Sequence, residues 1–481
     1  MDNNQTISLK RDVLVRIIKA FLSDDFLEKT RLIPFEMRPK GTQVPYRCCI
    51  YKERAVIRDR IISGLGFAVE YNDESKCLSE YAKEAEHRKE IDPNPLTLID
   101  TACKGCTPHR VYVTPLCKGC VARPCQQSCK FGAITIQNGM STIDNTKCKY
   151  CKMCISACPY NAIVNVTVPC EDSCPVGAIK KSLDGFAQID YSSCISCGKC
   201  VINCPFGAVH EKSQIIDILK EIKNKKKVIG LIAPSIAGQF CANIYQLKSA
   251  MLKAGFADVY EVAQGADETT CNEAKEFREK MAENKSFMTT SCCSGYHQFI
   301  KKHFPEIKPF VSDTKTPLYY IARKVKKEIA DAITVFVGPC VAKKIEARGN
   351  ENVNFVTNYE EISALFIAKG IDIAKCSEEK FDIESSKQGR GFGVSGGVCA
   401  AVAALVDKNL IRPYVINGLN KDTIRQLIKM AKTGKCEEGN LVEVMCCEGG
   451  CIGGNATIEM QKTARKNINA LLEKSSNISE I

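Results

Sequence analysis

Cys292 and Cys293 are adjacent thiols at the end of the short apolar run Phe287-Met288-Thr289, ahead of a helical pattern over 296–303. A strand-to-helix corner of that kind is where α/β sheets expose reactive groups. Side by side there, one thiol can bind a metal and the other can handle a proton. The plainer reading is two buried thiols packed as small hydrophobes. Against it stands the rest of the inventory, 30 cysteines in 481 residues. The chain opens Met1-Asp2-Asn3-Asn4-Gln5, without the basic and apolar segments of a secretory signal, and holds no run of about 18 apolar residues. A cytoplasmic location with no membrane partner is therefore expected. Reducing compartments disfavour disulfides, and cysteines so spaced read as sites for zinc or iron–sulfur groups.

Residues 101–212 hold an internal repeat. Cys-x-x-x-Cys followed by a small residue and Ala-Ile or Ala-Val recurs at 125–134, 154–163, 170–179 and 200–209. Each copy resembles a ferredoxin half-repeat, so the four imply two ferredoxin-like units, 101–166 and 167–212. In that pattern three closely spaced cysteines hold one 4Fe-4S cluster and the fourth reaches across to the other. The resemblance implies one cluster on Cys117, Cys120, Cys125 and Cys158, and a second on Cys148, Cys151, Cys154 and Cys129. A third falls on Cys194, Cys197, Cys200 and Cys174. Cys170 and Cys204 then lack a Cys-x-x-Cys partner, while Cys103-Lys104-Gly105-Cys106 lies unused upstream. Folding that segment back would close a fourth cluster and lend Cys103 and Cys106 to the second unit. A cluster on Cys103 and Cys106 with His109, or three clusters and spare thiols, are the alternatives. Zinc fits less well, because a run ending in Cys158-Pro159 is typical of clusters. Tight turns between the ligands leave backbone N–H groups free to face the sulfurs. A row of clusters conducts single electrons, so a redox site at one end and a carrier protein at the other are expected.

The net charge of +12 suggests nucleic acid at first sight. Clusters on four thiolates are anionic, however, and four of them would bring the balance to roughly +4. The basic excess then reads as compensation, and no nucleic-acid partner is expected. The run Lys223-Asn224-Lys225-Lys226-Lys227 reads as a solvated connector.

The elements that must position these thiols follow from periodicity. Apolar runs at 228–232, 259–262, 287–289, 333–337, 353–356, 413–416 and 441–445 predict strands. Helical patterns at 237–254, 268–283, 316–330, 359–369, 397–406 and 422–433 follow most of them, after a linking helix over 215–222. Residues 213–481 are thus expected to be an α/β domain with parallel sheet, beside the α+β ferredoxin-like units. Residues 1–100 carry no metal motif. Helices are predicted over 7–26, 55–65 and 78–88, making a small helical domain or an interaction arm. Cys48, Cys49 and Cys77 there lack metal spacing and read as structural.

Three loops carry the chemistry of residues 213–481. They are Thr290-Ser291-Cys292-Cys293, then Gly338-Pro339-Cys340-Val341-Ala342-Lys343-Lys344-Ile345-Glu346, then Glu443-Val444-Met445-Cys446-Cys447-Glu448-Gly449-Gly450-Cys451. In order and content they resemble the three signature motifs of the iron-only (FeFe) hydrogenases, with the resemblance running over about 103–460. That family's H-cluster joins a 4Fe-4S cubane to a two-iron subsite carrying CO, cyanide and an azadithiolate bridge. Carried over by position, the resemblance implies Cys293, Cys340, Cys447 and Cys451 as cubane ligands, with Cys451 bridging to the two-iron site. Lys343 would donate to an iron-bound cyanide. Glu346 lies one helical turn from Lys343. Ala233, Pro234 and Ser235 resemble a loop lining the subsite, which Met445 would also pack against. Cys292 resembles the terminal proton shuttle, with the route continuing through Glu273, Ser312 and Glu276. The two glutamates fall at i and i+3 of one helix face, and Lys280 stands where the family often has Arg.

The loops also depart from the familiar motifs. Ser294-Gly295-Tyr296 replaces Pro-Gly-Trp, Gly338 replaces Met, Cys446 replaces Ala, Gly453 replaces Asn, and Leu318 stands where Gln is common. The departures suggest a divergent, group-B-like branch, and they surround the cofactor rather than ligate it. The resemblance implies reversible reduction of protons to H2, exchange of electrons with ferredoxin, and installation of the two-iron site by maturation enzymes. An H2 sensor on the same cluster and a hydrogenase-like iron–sulfur protein without H2 chemistry are the other readings.

Overall fold

The computed structural model describes residues 5–41, 45–107 and 110–480. Val228–Ile232 and Ile333–Val337 are apolar runs buried along nearly their whole length, the signature of strands covered on both faces. They form the middle of a four-stranded sheet in the order Asp258–Glu261, Val228–Ile232, Ile333–Val337, Phe355–Thr357. Every pairing in it is parallel. A second sheet, also parallel throughout, orders Met288–Thr289, Leu441–Met445 and Pro413–Asn417. Each sheet has its own apolar packing, Ile229, Leu231 and Phe336 in the first and Phe287, Tyr296 and Val444 in the second. The expected α/β architecture is present as two lobes. The loops holding Ser235 and Cys340 leave the carboxyl ends of the first sheet, and those holding Cys292 and Cys447 leave the same ends of the second.

Each copy of the cysteine repeat folds as one helical turn leading into a strand. The turns are Pro124–Gln127, Met153–Ala157, Pro169–Ser173 and Lys199–Asn203. Arg110–Val113 pairs antiparallel with Ile163–Val166, closing the first unit. Leu96–Leu98 pairs antiparallel with Val209–Glu211 in the second. The second unit thus begins upstream of the first, which is inserted within it. Leu96–Leu98 lies upstream of residue 101, within the expected N-terminal region, and the segment carrying Cys103 and Cys106 follows it beside the second unit.

The N-terminal helices depart from expectation. The first, Gln5–Phe21, stops short of residue 26. Ser23 turns its hydroxyl back onto the Ala20 carbonyl at 2.7 Å, and short polar side chains of this kind favour turns over helix interior. Phe26 instead opens a second helix, Phe26–Met37, and packs edge-on against Phe21 at 5.1 Å. That helix was hidden by Pro34 in its interior. Ile50–Gly64 and Leu78–His87 follow. The bundle is no loose arm. Val13, Ile17 and Phe21 share one core with Ile216, Tyr359, Ile362 and Leu365 of the α/β region. Arg11 forks onto Glu360 at 2.8 and 2.9 Å across the same junction. Cys48 is exposed rather than packed, so it has no place in a core.

Elsewhere the predicted helix over 237–254 divides into a 3-10 turn, Pro234–Gly238, and a helix, Ile244–Ala254, capped by Asn243. Gly238 lets that turn lie against helix Gln461–Leu472, since a Cβ there would meet the Ala464 carbonyl oxygen at 2.6 Å. The helix carrying Glu273 runs Val262–Ala282, starting six residues before the pattern suggested.

Candidate active site and cluster sites

Cys293 caps helix Ser294–His303, Cys340 follows strand Ile333–Val337, and Cys447 and Cys451 flank a glycine turn. In that turn Gly449 and Gly450 have φ of +80° and +82°, and a Cβ on Gly450 would stand 2.5 Å from the Ser395 backbone nitrogen. Only glycine lets the backbone bend this way against its neighbour. The structure brings the four cysteines together from both lobes. Burial pushes the Cys340 thiol up to about 12, with Cys293 and Cys451 adding like charge and Lys343 opposing. Burial likewise takes Cys451 up to about 11, with Cys293 next in weight, and lifts Cys447 well above its ordinary value, with Cys340 and Cys293 next. Four mutually repelling thiols in a desolvated site are what a cationic iron core relieves. Four sulfur donors in one desolvated site are the donor chemistry an iron–sulfur cluster takes.

Lys343 pairs with Glu346 at 2.6 Å and lies 5.7 Å from the centre of the Phe336 ring. Burial disfavours both charges, yet each holds the other ionised, Lys343 above its ordinary range and Glu346 below. Glu346 also accepts from the hydroxyls of Ser294 and Thr316. Ser235 bonds the Tyr359 hydroxyl at 2.6 Å. Ala233 is tied to the Val337 carbonyl at 2.9 Å, which sets the Ala233-Pro234-Ser235 loop beside that of Cys340. Met445 belongs to an apolar group with Phe392, Val398 and Ala401 that also packs on Cys292 and Cys293.

Cys292 is the thiol that the resemblance leaves outside these four, with Cys293 and Cys451 among its neighbours. Burial lifts its thiol well above the ordinary value, and the next contributors are Glu273 and Glu443. Glu273 is fully buried on helix Val262–Ala282. Its Oε1 accepts from the Ser291 N–H at 3.0 Å and lies 3.2 Å from the Ser291 hydroxyl, which shares its one proton with the Thr314 carbonyl at 2.6 Å, while Oε2 has no direct hydrogen bond among the described residues. Ser312 interacts with Glu273 and donates to Glu276 at 2.6 Å. Glu276 also takes the Thr314 hydroxyl at 2.9 Å and Lys280 at 2.8 Å. Ser312 and Thr314 line an open cleft that extends to Glu346. Donors and acceptors thus run from beside Cys292 to solvent.

Burial raises Glu273 to about 7, against the bonds from Ser291. The folded state therefore holds its proton more tightly than the unfolded chain. The associated stability is fully present below pH about 4.5 and is lost as pH rises through about 7. Glu273→Gln keeps the acceptor and removes the charge, so its unfolding free energy should gain on the parent between pH 5 and pH 8, by up to about 3 kcal/mol. Parallel pH–stability curves would exclude the raised pKa.

Three residues were not singled out in the sequence. Ser291 orients Glu273, and its only signal is its place beside the two thiols. Thr316 caps helix Pro317–Glu328 as well as binding Glu346. Glu443 is a buried carboxylate within the apolar strand Leu441–Met445, an anomaly visible in the sequence itself. It accepts from the Gly396 and Cys399 N–H groups at 2.7 and 2.9 Å, at the start of helix Gly397–Ala403.

Among the ferredoxin-like units, Cys117, Cys120, Cys125 and Cys158 line one cavity. Burial raises Cys154, with Cys148, Cys129 and Cys151 adding like charge. Cys200 is raised by burial, then by Cys197, Cys194 and Cys174. Cys170 reaches about 11 through burial and then Cys204. Cys103 and Cys106 pack in the same apolar group as Cys170 and Cys204, with Lys181 Nζ 3.8 Å from the Cys103 sulfur. His109 lies outside the described residues. The free backbone N–H groups point at sulfur as expected, from Ala162 to Cys158 at 3.4 Å, Ala178 to Cys174 at 3.2 Å and Ala208 to Cys204 at 3.4 Å.

Several contacts join these units to the lobes, among them Lys302 Nζ to the Cys194 carbonyl at 2.7 Å and Asn455 to Glu211 at 2.9 Å. Cys446 packs with Cys197 in the core of the second lobe, which holds the Cys197 sulfur below its ordinary pKa and raises Cys446. Residues 226–455 match the family described as iron only hydrogenase large subunit, C-terminal domain. Over those residues the chain is similar to an iron-only hydrogenase domain. Residues 141–164 and 186–209 match 4Fe-4S binding domains. The chain is 28% identical over 370 residues to iron hydrogenase 1 of Clostridium pasteurianum, covering 65% of this chain and 64% of that one. It is 26% identical over 304 residues to the periplasmic [Fe] hydrogenase large subunit of Nitratidesulfovibrio vulgaris, covering 50% and 72%. A probable cytosolic Fe-S cluster assembly factor of Drosophila erecta is 25% identical over 258 residues, covering 42% and 54%. No helix among the described residues is long and apolar enough to cross a membrane.

The departures of this region from the familiar motifs have local partners. Ser294, in place of Pro, donates to Glu346. Gly338, in place of Met, leaves room for the Phe336 ring, which a Cβ would meet at 2.3 Å. Tyr296, in place of Trp, bonds the Thr289 hydroxyl at 3.1 Å. Leu318, in place of Gln, is fully buried in apolar packing. Cys446, in place of Ala, supplies the contact to Cys197.

Proposed function

We propose that the chain is an FeFe hydrogenase catalysing the reversible interconversion of protons, electrons and H2. The observation that carries this reading is Cys292, a thiol outside the four-cysteine set, one residue from Cys293 and in the field of Glu273. Cys293, Cys340, Cys447 and Cys451 would hold an H-cluster, Cys451 serving its two-iron part as well. Lys343 would donate to an iron-bound cyanide, and Ala233, Pro234, Ser235 and Met445 would line the subsite. When bound, the cofactor supplies the redox centre at which protons and electrons combine.

The chain's own groups do the rest. Cys292 hands a proton inward and takes its replacement from Glu273. Ser291 fixes one oxygen of Glu273 and leaves the other free to exchange. Ser312 carries a donor and an acceptor on one oxygen, so it passes protons between Glu273 and Glu276 without holding charge. Glu276 completes the route beside Lys280. Phe392, Val398, Ala401 and Met445 keep bulk water from the inner end. Electrons would pass from a ferredoxin or similar one-electron carrier along the accessory clusters and cross at Cys197 and Cys446. Maturation enzymes would install the two-iron subsite.

The infrared spectrum of anaerobically matured protein tests this reading. Bands in the CO and cyanide region are expected, with H2 evolution from reduced viologen. Iron-loaded protein without those bands would favour the non-catalytic alternative, for which the similarity to an assembly factor speaks. Bands with negligible turnover would favour an H2 sensor.

A further inference from the structure

Residues 1–100 take no part in the chemistry above, yet they contain a concentration of unneutralised charge. The helices Gln5–Phe21 and Ile50–Gly64, together with Arg38 and Arg47, face the turn Pro205-Phe206 and Lys104 across a cleft of about 190 Å³. One wall is apolar, formed by Leu9, Val56, Ile57 and Phe206. The other carries Arg38, Arg47, Arg60 and Lys104 against a single carboxylate, Glu53. That carboxylate is already committed, to the Arg38 guanidinium and to the Arg47 backbone N–H at 3.1 Å. The Arg47 guanidinium reaches the Phe206 carbonyl at 3.4 Å. Arg60 reaches the same oxygen at 3.5 Å, is 3% exposed, and leaves its Nε with no partner. Buried charges are ordinarily paired, because taking an ion out of water without a counter-ion costs several kcal/mol. Here burial and then Arg47 push Arg60 down to about 10, and burial lowers Arg47 too.

We propose that this cleft binds a small amphiphilic oxyanion, a carboxylate or phosphate on an apolar body. The oxyanion takes the free Nε of Arg60 together with the Arg47 guanidinium, and the body lies on Leu9, Val56 and Ile57. A guanidinium with an unused N–H beside a second guanidinium suits two oxygens of one anion. The apolar wall explains why the ligand is more than an inorganic ion. Arg47 and Arg60 also lie in the field of Cys204. A cluster held by Cys204 would draw on the same cations.

The competing explanation is that the two arginines serve as counter-ions to such a cluster and bind nothing else. Calorimetric titration of the full, cluster-loaded chain separates the two, with inorganic phosphate, octanoate and AMP as probes. Octanoate or AMP should bind at least tenfold tighter than inorganic phosphate, and which of them binds tells the carboxylate from the phosphate. Arg60→Met should weaken that binding at least tenfold, with Arg60→Lys restoring part of it, at unchanged iron content. Arg47→Met, at a partly exposed position, should weaken it at least threefold and guards against a folding defect in the Arg60 variants. Absence of binding by any probe, or binding indifferent to both arginines, would overturn the proposal. The titration does not involve hydrogen chemistry, so it stands apart from the outcome of the infrared test.

Discussion

Cys292→Ala should lower H2 evolution by at least about 100-fold, the usual weight of a positioned proton-transfer group. Iron content and the CO and cyanide bands should be unchanged, because Cys292 lies outside the proposed ligand set. Alanine leaves a gap of one sulfur between the inner end of the route and Glu273, whose second oxygen has no direct hydrogen bond among the described residues. Cys292→Ser keeps a donor of similar size and should retain more activity than alanine. A parallel loss of iron would instead make Cys292 a ligand, and full activity in the alanine variant would remove it from the proton route.

Lys343→Met should have the largest effect on the site's integrity. Lys343 and Glu346 are a nearly buried pair, with side chains 14% and 16% exposed. Removing the cation leaves a carboxylate held only by the hydroxyls of Ser294 and Thr316. Breaking a buried pair this way costs about 3 kcal/mol or more. The CO and cyanide bands should be lost while cluster iron remains, since the lysine is the proposed donor to cyanide. Adding Glu346→Gln should recover most of the stability and none of the bands. That split separates the structural role of the pair, which the double variant repairs, from the contact to the cofactor, which it does not.

How much of this was legible depended on how local the cause was. Strands 228–232, 333–337 and 441–445 were readable to the residue, because burial on both faces makes a mostly apolar run with sharp ends, Thr334 and Glu443 being the polar exceptions. The cysteine spacings were equally plain, since a ferredoxin half-repeat is written within about ten residues of chain. Helix Phe26–Met37 was not, because Pro34 argues locally against it and its packing on other helices decides otherwise. The same holds for Ser291 and Thr316. Their partners, Glu273 and Glu346, are 18 and 30 residues away, and no pattern of period two or 3.6 encodes such a contact. Cys446 was visible as an odd residue in its motif, but its partner Cys197 comes from another unit altogether.

The antiparallel pairing of Leu96–Leu98 with Val209–Glu211 bears on how such a chain can vary. Arg110 stands opposite Val166, so both ends of the inserted unit emerge side by side. A segment whose ends meet can be gained or lost without disturbing the strands around it. The second unit is anchored by two strands that enclose everything between them. If the clusters are held as proposed, the first unit is an extension inserted at one point, and its presence would set how far the electron path reaches.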